Sequence, residues 1–217
     1  NLKKLPRHSL DHRAKARYQN RNDLVWKQRM KSQYSTTGPA GQLQATIGLM
    51  TKRPGATTLR GNPMTLLGPE LKAGDAAPEF NSIDDGLKPV TLASTGSGVR
   101  IFSVVPSLDT PVCDAQTKRF NEEASKLPNV SIYTFSMDLP FAQKRWCGAF
   151  GIDNIKMVSD HRDGSFGQAY GTLIEELRIH SRAIFVVGPD NKIRHVEYVK
   201  EVADHPNYDT ALAAAKA

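Results

Sequence analysis

An α/β sandwich is the architecture this 217-residue sequence predicts, and three observations predict it. Short apolar runs rich in β-branched and aromatic residues alternate, along the body of the chain, with segments spaced for helices. The last such run turns back through Pro189–Asp190–Asn191 into a hairpin partner, and an Ala- and Leu-rich helix follows. A hydrophobic share of 39% beside 24% charged residues supports a buried core. No internal repeat is visible, and no purely apolar stretch reaches the roughly 18 residues that a transmembrane helix needs.

The elements follow in order. Residues 57–67 (TTLRGNPMTLL) read as a hairpin with Gly61–Asn62 near its turn. AGDAAPEF, residues 73–80, is a polar stretch before the next strands. Val99–Val105 (VRIFSVV) is a candidate for a buried strand. Val112–Leu127 places Val112, Phe120, Ala124 and Leu127 at helical spacing. Ser131–Met137 is a second strand, and Pro140–Phe150 a helix with Ala142, Trp146 and Ala149/Phe150 on one face. Ile155–Ser159 is a short strand, Arg182–Val187 (RAIFVV) a strong one, and Lys192–Val199 returns beside it. Tyr208–Ala217 is the terminal helix.

Charge divides the chain. The overall net charge is +7, but residues 1–56 hold 12 Lys/Arg against 2 Asp/Glu, net +10, and residues 57–217 hold 17 against 20, net −3. We read residues 1–56 as a basic arm and linker, and residues 57–217 as the globular domain. Ser9 to Lys31 has helical character, with Ser9 or Asp11 able to cap it. Leu10, Ala14 and Tyr18 align at spacing four, yet cations surround them, so this segment has little to bury. Residues 35–56 carry Gly, Pro, Ser and Thr with little periodicity and read as a linker in which Ile47, Leu49 and Met50 make at most a local contact. The chain opens on Asn1 rather than Met, so a preceding segment is expected to have been removed or not included. The Arg-rich, acid-poor start fits a transit peptide only in part.

Two readings of the arm stand side by side. It is a solvated charged tail, or it is a phosphate-binding segment in which Lys3, Lys4, Arg7, Arg13, Lys15, Arg17, Arg21, Lys27, Arg29 and Lys31 neutralise an RNA backbone. In the second, Tyr18, Trp26 and Tyr34 stack on bases, and ribosomal RNA contacted through residues 1–34 is the specific form we expect. His8 and His12 have a metal-compatible i, i+4 spacing, but nothing nearby completes a site.

Two cysteines are too few for a disulfide-rich scaffold or a four-thiolate zinc site. Cys113 follows a buried strand and a proline-containing turn and opens a helix, where free N–H groups and the helix dipole stabilise a thiolate. Thr110 stands three residues before it, close enough for its hydroxyl to turn back to the sulfur, and Pro106 is placed to wall the site from water. Cys147 lies on the next helix. An oxidised Cys113 could condense with that second thiol. Equally, both cysteines could be small buried core residues. Spacing alone leaves the two readings open.

A resemblance separates them. Pro106-x-x-x-Thr110-x-x-Cys113 matches the active-site pattern of the peroxiredoxins. PSLDTPVCDAQTKRFN, the later DLPFAQKRWCGAFG, and the flanking RGNPMTLLGPELKAGDAAPEF, RAIFVVGPDNKI and NYDTALAAAKA resemble the bacterial thiol peroxidases, a subfamily of atypical two-Cys peroxiredoxins. The resemblance covers residues 57–217 and leaves the arm unmatched. It implies a thioredoxin-like fold, with Cys113 as peroxidatic and Cys147 as resolving cysteine of the same subunit. It implies that Thr110 hydrogen-bonds thiolate and peroxide, that Pro106 shields the site, and that Arg182 stabilises the thiolate and helps polarise the O–O bond. Without it, Arg182 would read as a strand-end surface residue.

The resemblance also implies a thioredoxin-like reductant, hydrogen peroxide and organic hydroperoxides as substrates with alkyl hydroperoxides preferred, a homodimer, and no metal or organic cofactor. A reducing cytosol suits such a thiol cycle, and an organelle matrix is the alternative. Two further classes were weighed. A disulfide isomerase or thioredoxin-like reductant would carry C-x-x-C near its first strand, and none is present. A scaffold or RNA-binding component retaining the domain without activity is the other, and the complete residue set argues against lost activity.

Overall fold

The computed structural model describes residues 51–217. The basic arm, its candidate helix, its ten proposed RNA-binding cations and the His8/His12 pair lie outside the described residues. Among the described residues, no helix is long and apolar enough to cross a membrane.

Strands β1 (Lys52–Leu59) and β2 (Asn62–Leu67) form the expected hairpin. Its turn falls at Arg60 (φ 52°) and Gly61 (φ 78°), one residue before the expected pair, with the two left-handed residues a tight hairpin favours. β1 begins at Lys52, inside the segment read as linker, because the Glu175 carboxylate and the carbonyls of Gly68 and Gly171 take up Lys52 and Arg53. β2 also pairs with β8 (Leu173–Ile174), giving a small three-stranded sheet.

The main sheet has seven strands. They are β3 (Ser82–Asp84), β4 (Pro89–Val90), β5 (Val99–Val104), β6 (Val130–Ser136), β7 (Lys156–Ser159), β9 (Ala183–Val187) and β10 (Ile193–Tyr198), in spatial order β10-β9-β5-β6-β7-β3-β4. β5, β6 and β7 run parallel, and β9 pairs antiparallel with β5. The helices are α1 (Pro111–Ala124), α2 (Pro140–Phe150), the short α3 (Ser165–Ala169) and α4 (Tyr208–Lys216).

Period-two alternation sends neighbouring residues of the central strands to opposite faces. Ile101, Ile132, Ile184 and Val186 pack with Phe120 of α1, Trp146 of α2 and Leu212 of α4. Phe102, Tyr133, Phe135 and Phe185 face the other way into an aromatic cluster with Phe80 and Phe166. There the Phe166 ring stacks between Phe135, centroid 3.8 Å away, and Tyr170, at 4.2 Å. A sandwich of helices and sheet results, as the apolar runs predicted.

Two expectations need correction, and Arg182 lies where its sequence context without the resemblance would not put it. The buried residues of α2 are Pro140, Gln143 and Trp146, whereas Phe150 is 48% exposed. Gln143 displaces an apolar residue from that face because its amide donates to Ser136 Oγ and to the Val158 carbonyl. α1 stops at Ala124, so Leu127 is buried by the following turn rather than by the helix. Arg182 is not on the surface: at 1% exposure it is among the most buried side chains described.

Two glycines allow close passage of backbone beside the small sheet. A Cβ on Gly68 (φ 102°) would lie 2.0 Å from the Gln168 carbonyl oxygen, and one on Gly171 (φ 63°) 1.9 Å from that of Pro69. The loop after β2 and the turn after α3 are thereby pressed together.

Candidate active site

The buried run of β5 ends at Val104, and a loop through Pro106 and Thr110 carries the chain into α1. Pro111 occupies the first helical position, where its missing N–H costs nothing and its fixed φ starts the helix. Thr110 is the extended N-cap residue (φ −110°, ψ 145°), yet its hydroxyl makes no capping bond to the helix. It points instead at Cys113, with Oγ1 2.7 Å from Sγ. The same hydroxyl lies 3.1 Å from the Ser107 carbonyl oxygen. It has one proton, so it serves the carbonyl or the sulfur, and a charged sulfur is the stronger acceptor.

Cys113 is fully buried. Its second side-chain partner is Arg182, whose Nη2 is 3.3 Å from Sγ. The rest of the guanidinium fork is fixed: Nε donates to the Val202 carbonyl at 3.0 Å and Nη1 to Gln116 Oε1 at 2.6 Å. Gln116 is in turn held by its own donation to Ser103 Oγ at 2.8 Å. Of the three Arg182 partners, only the sulfur can carry a full negative charge. The guanidinium, buried among neutral acceptors, presents Nη2 to the sulfur, and the dipole of α1 has its positive end at the same N-terminal turn. Arginine suits the position because its planar fork meets three acceptors at once.

The site opens on a cavity of about 480 Å³, lined by Pro106, Thr110 and Arg182 on one side and by Met64, Leu177 and Ile179 on the other. Pro106 is buried in its wall. The structure thus brings together Cys113, Thr110, Arg182 and Pro106 as sequence reasoning expected.

Cys147 stands apart on α2. Both thiols are free, and Cys147 is half-buried. It lines a different cavity, also about 480 Å³, beside Asp85, Lys88, Tyr133 and Lys156. Burial, with a smaller contribution from the Asp85 carboxylate, pushes its thiol up to about 11.

Sequence reasoning missed Gln116 and Ser103, which orient Arg182. Gln116 had a signal, standing three residues after Cys113 on the same helix and so on the same face. Ser103 had none beyond being a polar residue inside an apolar strand.

Comparison with known proteins places this geometry in a family. Residues 72–212 match the redoxin family model. A thiol peroxidase of Halalkalibacterium halodurans is 56% identical over 160 residues, covering 74% of this chain and 96% of its own length. A thiol peroxidase of Bacillus subtilis is 54% identical over the same coverage. Among solved structures, a peroxiredoxin-like protein from Aquifex aeolicus superposes with a TM-score of 0.69 at 40% identity, covering 78% of this chain and 98% of its own. The fold is the thioredoxin-like fold of peroxiredoxins, and the chain belongs to the redoxin family, where it stands with the thiol peroxidases.

Proposed function

We propose that this protein reduces hydrogen peroxide and organic hydroperoxides at Cys113, with Cys147 as the resolving thiol of the same chain. The observation that carries the reading is the Cys113 sulfur, buried between the Thr110 hydroxyl and the Arg182 guanidinium. The thiolate attacks the terminal peroxide oxygen, the O–O bond breaks, and the departing alkoxide or hydroxide takes up a proton to leave as alcohol or water. Thr110 and Arg182 face the oxygen being transferred and stabilise the charge that develops across it. Pro106 and the apolar walls at Met64, Leu177 and Ile179 exclude water and accommodate an alkyl substituent.

Cys113 leaves this step as a sulfenic acid. The Cys147 sulfur then displaces hydroxide from it, the Cys147 proton departs with that hydroxide as water, and a disulfide joins the two. A thioredoxin-like dithiol reduces the bond by exchange, becoming a disulfide itself. The two cysteines stand on separate helices, Cys113 fully buried and Cys147 beside a cavity that Cys113 does not line, so the second step includes a local opening. Cys113→Ser is expected to abolish peroxide turnover supported by thioredoxin; retained turnover refutes the assignment.

For the arm, the supporting observation is compositional: a net charge of +10 in residues 1–56 against −3 in the remainder. We propose that it anchors the domain to RNA, in the form of a ribosome. Removing residues 1–50, which spares β1, should leave peroxide turnover intact and abolish salt-sensitive co-sedimentation with ribosomes. Unchanged co-sedimentation refutes the anchor. The family suggests a homodimer, and a thiol cycle of this kind suits a reducing cytosol or an organelle matrix. Sedimentation equilibrium and subcellular fractionation test those two points.

A further inference from the structure

One carboxylate beyond the immediate surroundings of the thiol touches both halves of the proposed reaction. Asp138 lies between β6 and α2 and is partly buried. Its Oδ1 accepts from Ser107 Oγ at 2.8 Å, and its Oδ2 from the Leu108 N–H and Ser136 Oγ, both at 2.8 Å. Each of these bonds is charge-assisted and stronger than a neutral one.

Two chains of contacts lead away from it. On the Cys113 side, the Ser107 carbonyl accepts from the Thr110 N–H at 3.2 Å and faces the Thr110 hydroxyl, while Ser107 Oγ accepts from the Asp109 N–H at 3.3 Å. The turn that aims Thr110 at the sulfur is therefore closed by Ser107, and Asp138 holds Ser107. On the Cys147 side, Ser136 Oγ accepts from Gln143 Nε2 at 3.0 Å. Gln143 sits one helical turn before Cys147 on α2. Ser159 Oγ donates to the Asp138 carbonyl at 2.5 Å and fixes the backbone between the two chains.

We infer that Asp138 is a positioning residue that holds the Cys113 loop in its peroxide-reactive form and, through the same bonds, holds it closed against Cys147. The inference rests on the peroxidase reading given above. It follows from geometry: the loop that must move to deliver Cys113 to Cys147 is the loop whose Ser107 and Leu108 the carboxylate grips. Releasing the grip loosens the aim of Thr110 and lowers the cost of opening, so the two chemical steps respond in opposite directions. A residue that merely supports the fold would slow both.

The test uses the full chain carrying Asp138→Ala, Asp138→Asn or Ser107→Ala. Sulfenic acid formation is timed by dimedone trapping in a Cys147→Ser background with cumene hydroperoxide. Disulfide formation is timed by quenched-flow alkylation with Cys147 present and peroxide saturating. Asp138→Ala should slow Cys113 oxidation by roughly 10- to 100-fold, the scale of losing reactive alignment. It should speed disulfide formation by roughly tenfold, the scale of one charge-assisted bond no longer resisting opening. Asp138→Asn should restore both rates in part, because its oxygen still accepts from Leu108 and its amide can donate to Ser107 Oγ, through neutral bonds in place of charge-assisted ones. Ser107→Ala removes one bond and should shift both rates in the same senses by less; if Asp138→Ala does not fold, this variant decides.

Both steps slowing together, or neither changing while the wild type turns over, overturns the role of Asp138 and leaves the peroxidase reading standing. An Asn variant as impaired as Ala overturns it too. A wild-type Cys113 that peroxide does not oxidise overturns the peroxidase reading and this inference with it.

Discussion

Replacing Thr110 by Val keeps the shape of the side chain and removes its one hydroxyl. In the structure that hydroxyl lies 2.7 Å from Cys113 Sγ and 3.1 Å from the Ser107 carbonyl. The Val variant therefore loses one of two side-chain donors to the sulfur, the Arg182 Nη2 at 3.3 Å remaining. A hydrogen bond to a charged acceptor contributes about 1.5–3 kcal/mol, which corresponds to a rate loss of roughly 10- to 150-fold if the bond is fully used in the transition state. Where the single proton serves the Ser107 carbonyl instead, the bond lost is a neutral one and its loss costs stability of about 1 kcal/mol.

The assay is pseudo-first-order oxidation of Cys113 by tert-butyl hydroperoxide, followed as disappearance of the free thiol, with urea denaturation beside it. Thr110→Ser supplies the control: it retains the hydroxyl and should keep most of the wild-type rate. A folded Thr110→Val protein reacting within twofold of wild type, on an expected scale of at least about tenfold, refutes the argument that this hydroxyl serves the sulfur.

Other predictions follow from the same coordinates. One equivalent of peroxide should yield a Cys113–Cys147 disulfide in peptide mapping, and a free Cys147 in that product would assign resolution to another thiol. In Cys113→Ser protein, alkylation of Cys147 by iodoacetamide should climb with pH through about 11 rather than through the ordinary thiol value of 9.0; a midpoint near 9 contradicts its burial. The folded state favours the neutral Cys147 thiol, so the associated stability is intact below the ordinary value and is lost as pH rises toward about 11. Glu201 accepts from the N–H groups of Gly61, Ala203 and Arg60 and from the Thr58 hydroxyl, which hold its carboxylate down to about 2. Glu201→Gln should lower Tm at neutral pH, with the gap to wild type closing as pH falls from 4.5 through about 2; a pH-independent gap contradicts this. Gly171→Ala, which forces a Cβ against the Pro69 carbonyl at a left-handed backbone position, should cost about 1–3 kcal/mol in urea denaturation, and a variant as stable as wild type would contradict the close approach.

Long elements were legible because a single signal specifies each. VRIFSVV and RAIFVV are dominated by β-branched and aromatic residues, and both are central strands buried on two faces. Proline at the first position of α2 marked its start, while α1 begins at Pro111, one residue before the expected Val112. The short elements were not legible. Ser82–Asp84, Pro89–Val90, Ser165–Ala169 and Leu173–Ile174 each span five residues or fewer, too short for a period to register, and they exist because neighbours complete them. In the site, the local spacing of Thr110 and Cys113 suggested a reactive thiol but left a core cysteine equally open, and the family resemblance decided between them. Arg182 needed the family resemblance, since a charged residue at the edge of an apolar run reads as solvent-facing until three acceptors from elsewhere in the chain are known. Gln116 and Asp138 carry their consequence only through tertiary hydrogen bonds, which no window of sequence displays.

That dispersal of partners has a consequence for the chain while it is being made. The donor closest to Cys113 is local, but Arg182 lies 69 residues downstream and is itself aligned by a carbonyl 20 residues further on. A nascent or truncated chain ending before Arg182 contains Cys113 without the guanidinium that meets its sulfur. Both side-chain partners of the sulfur are in place only when β9 has paired with β5 and the segment around Val202 has closed over Arg182. On the proposed role of Cys113, its full reactivity toward peroxide therefore waits for completed folding.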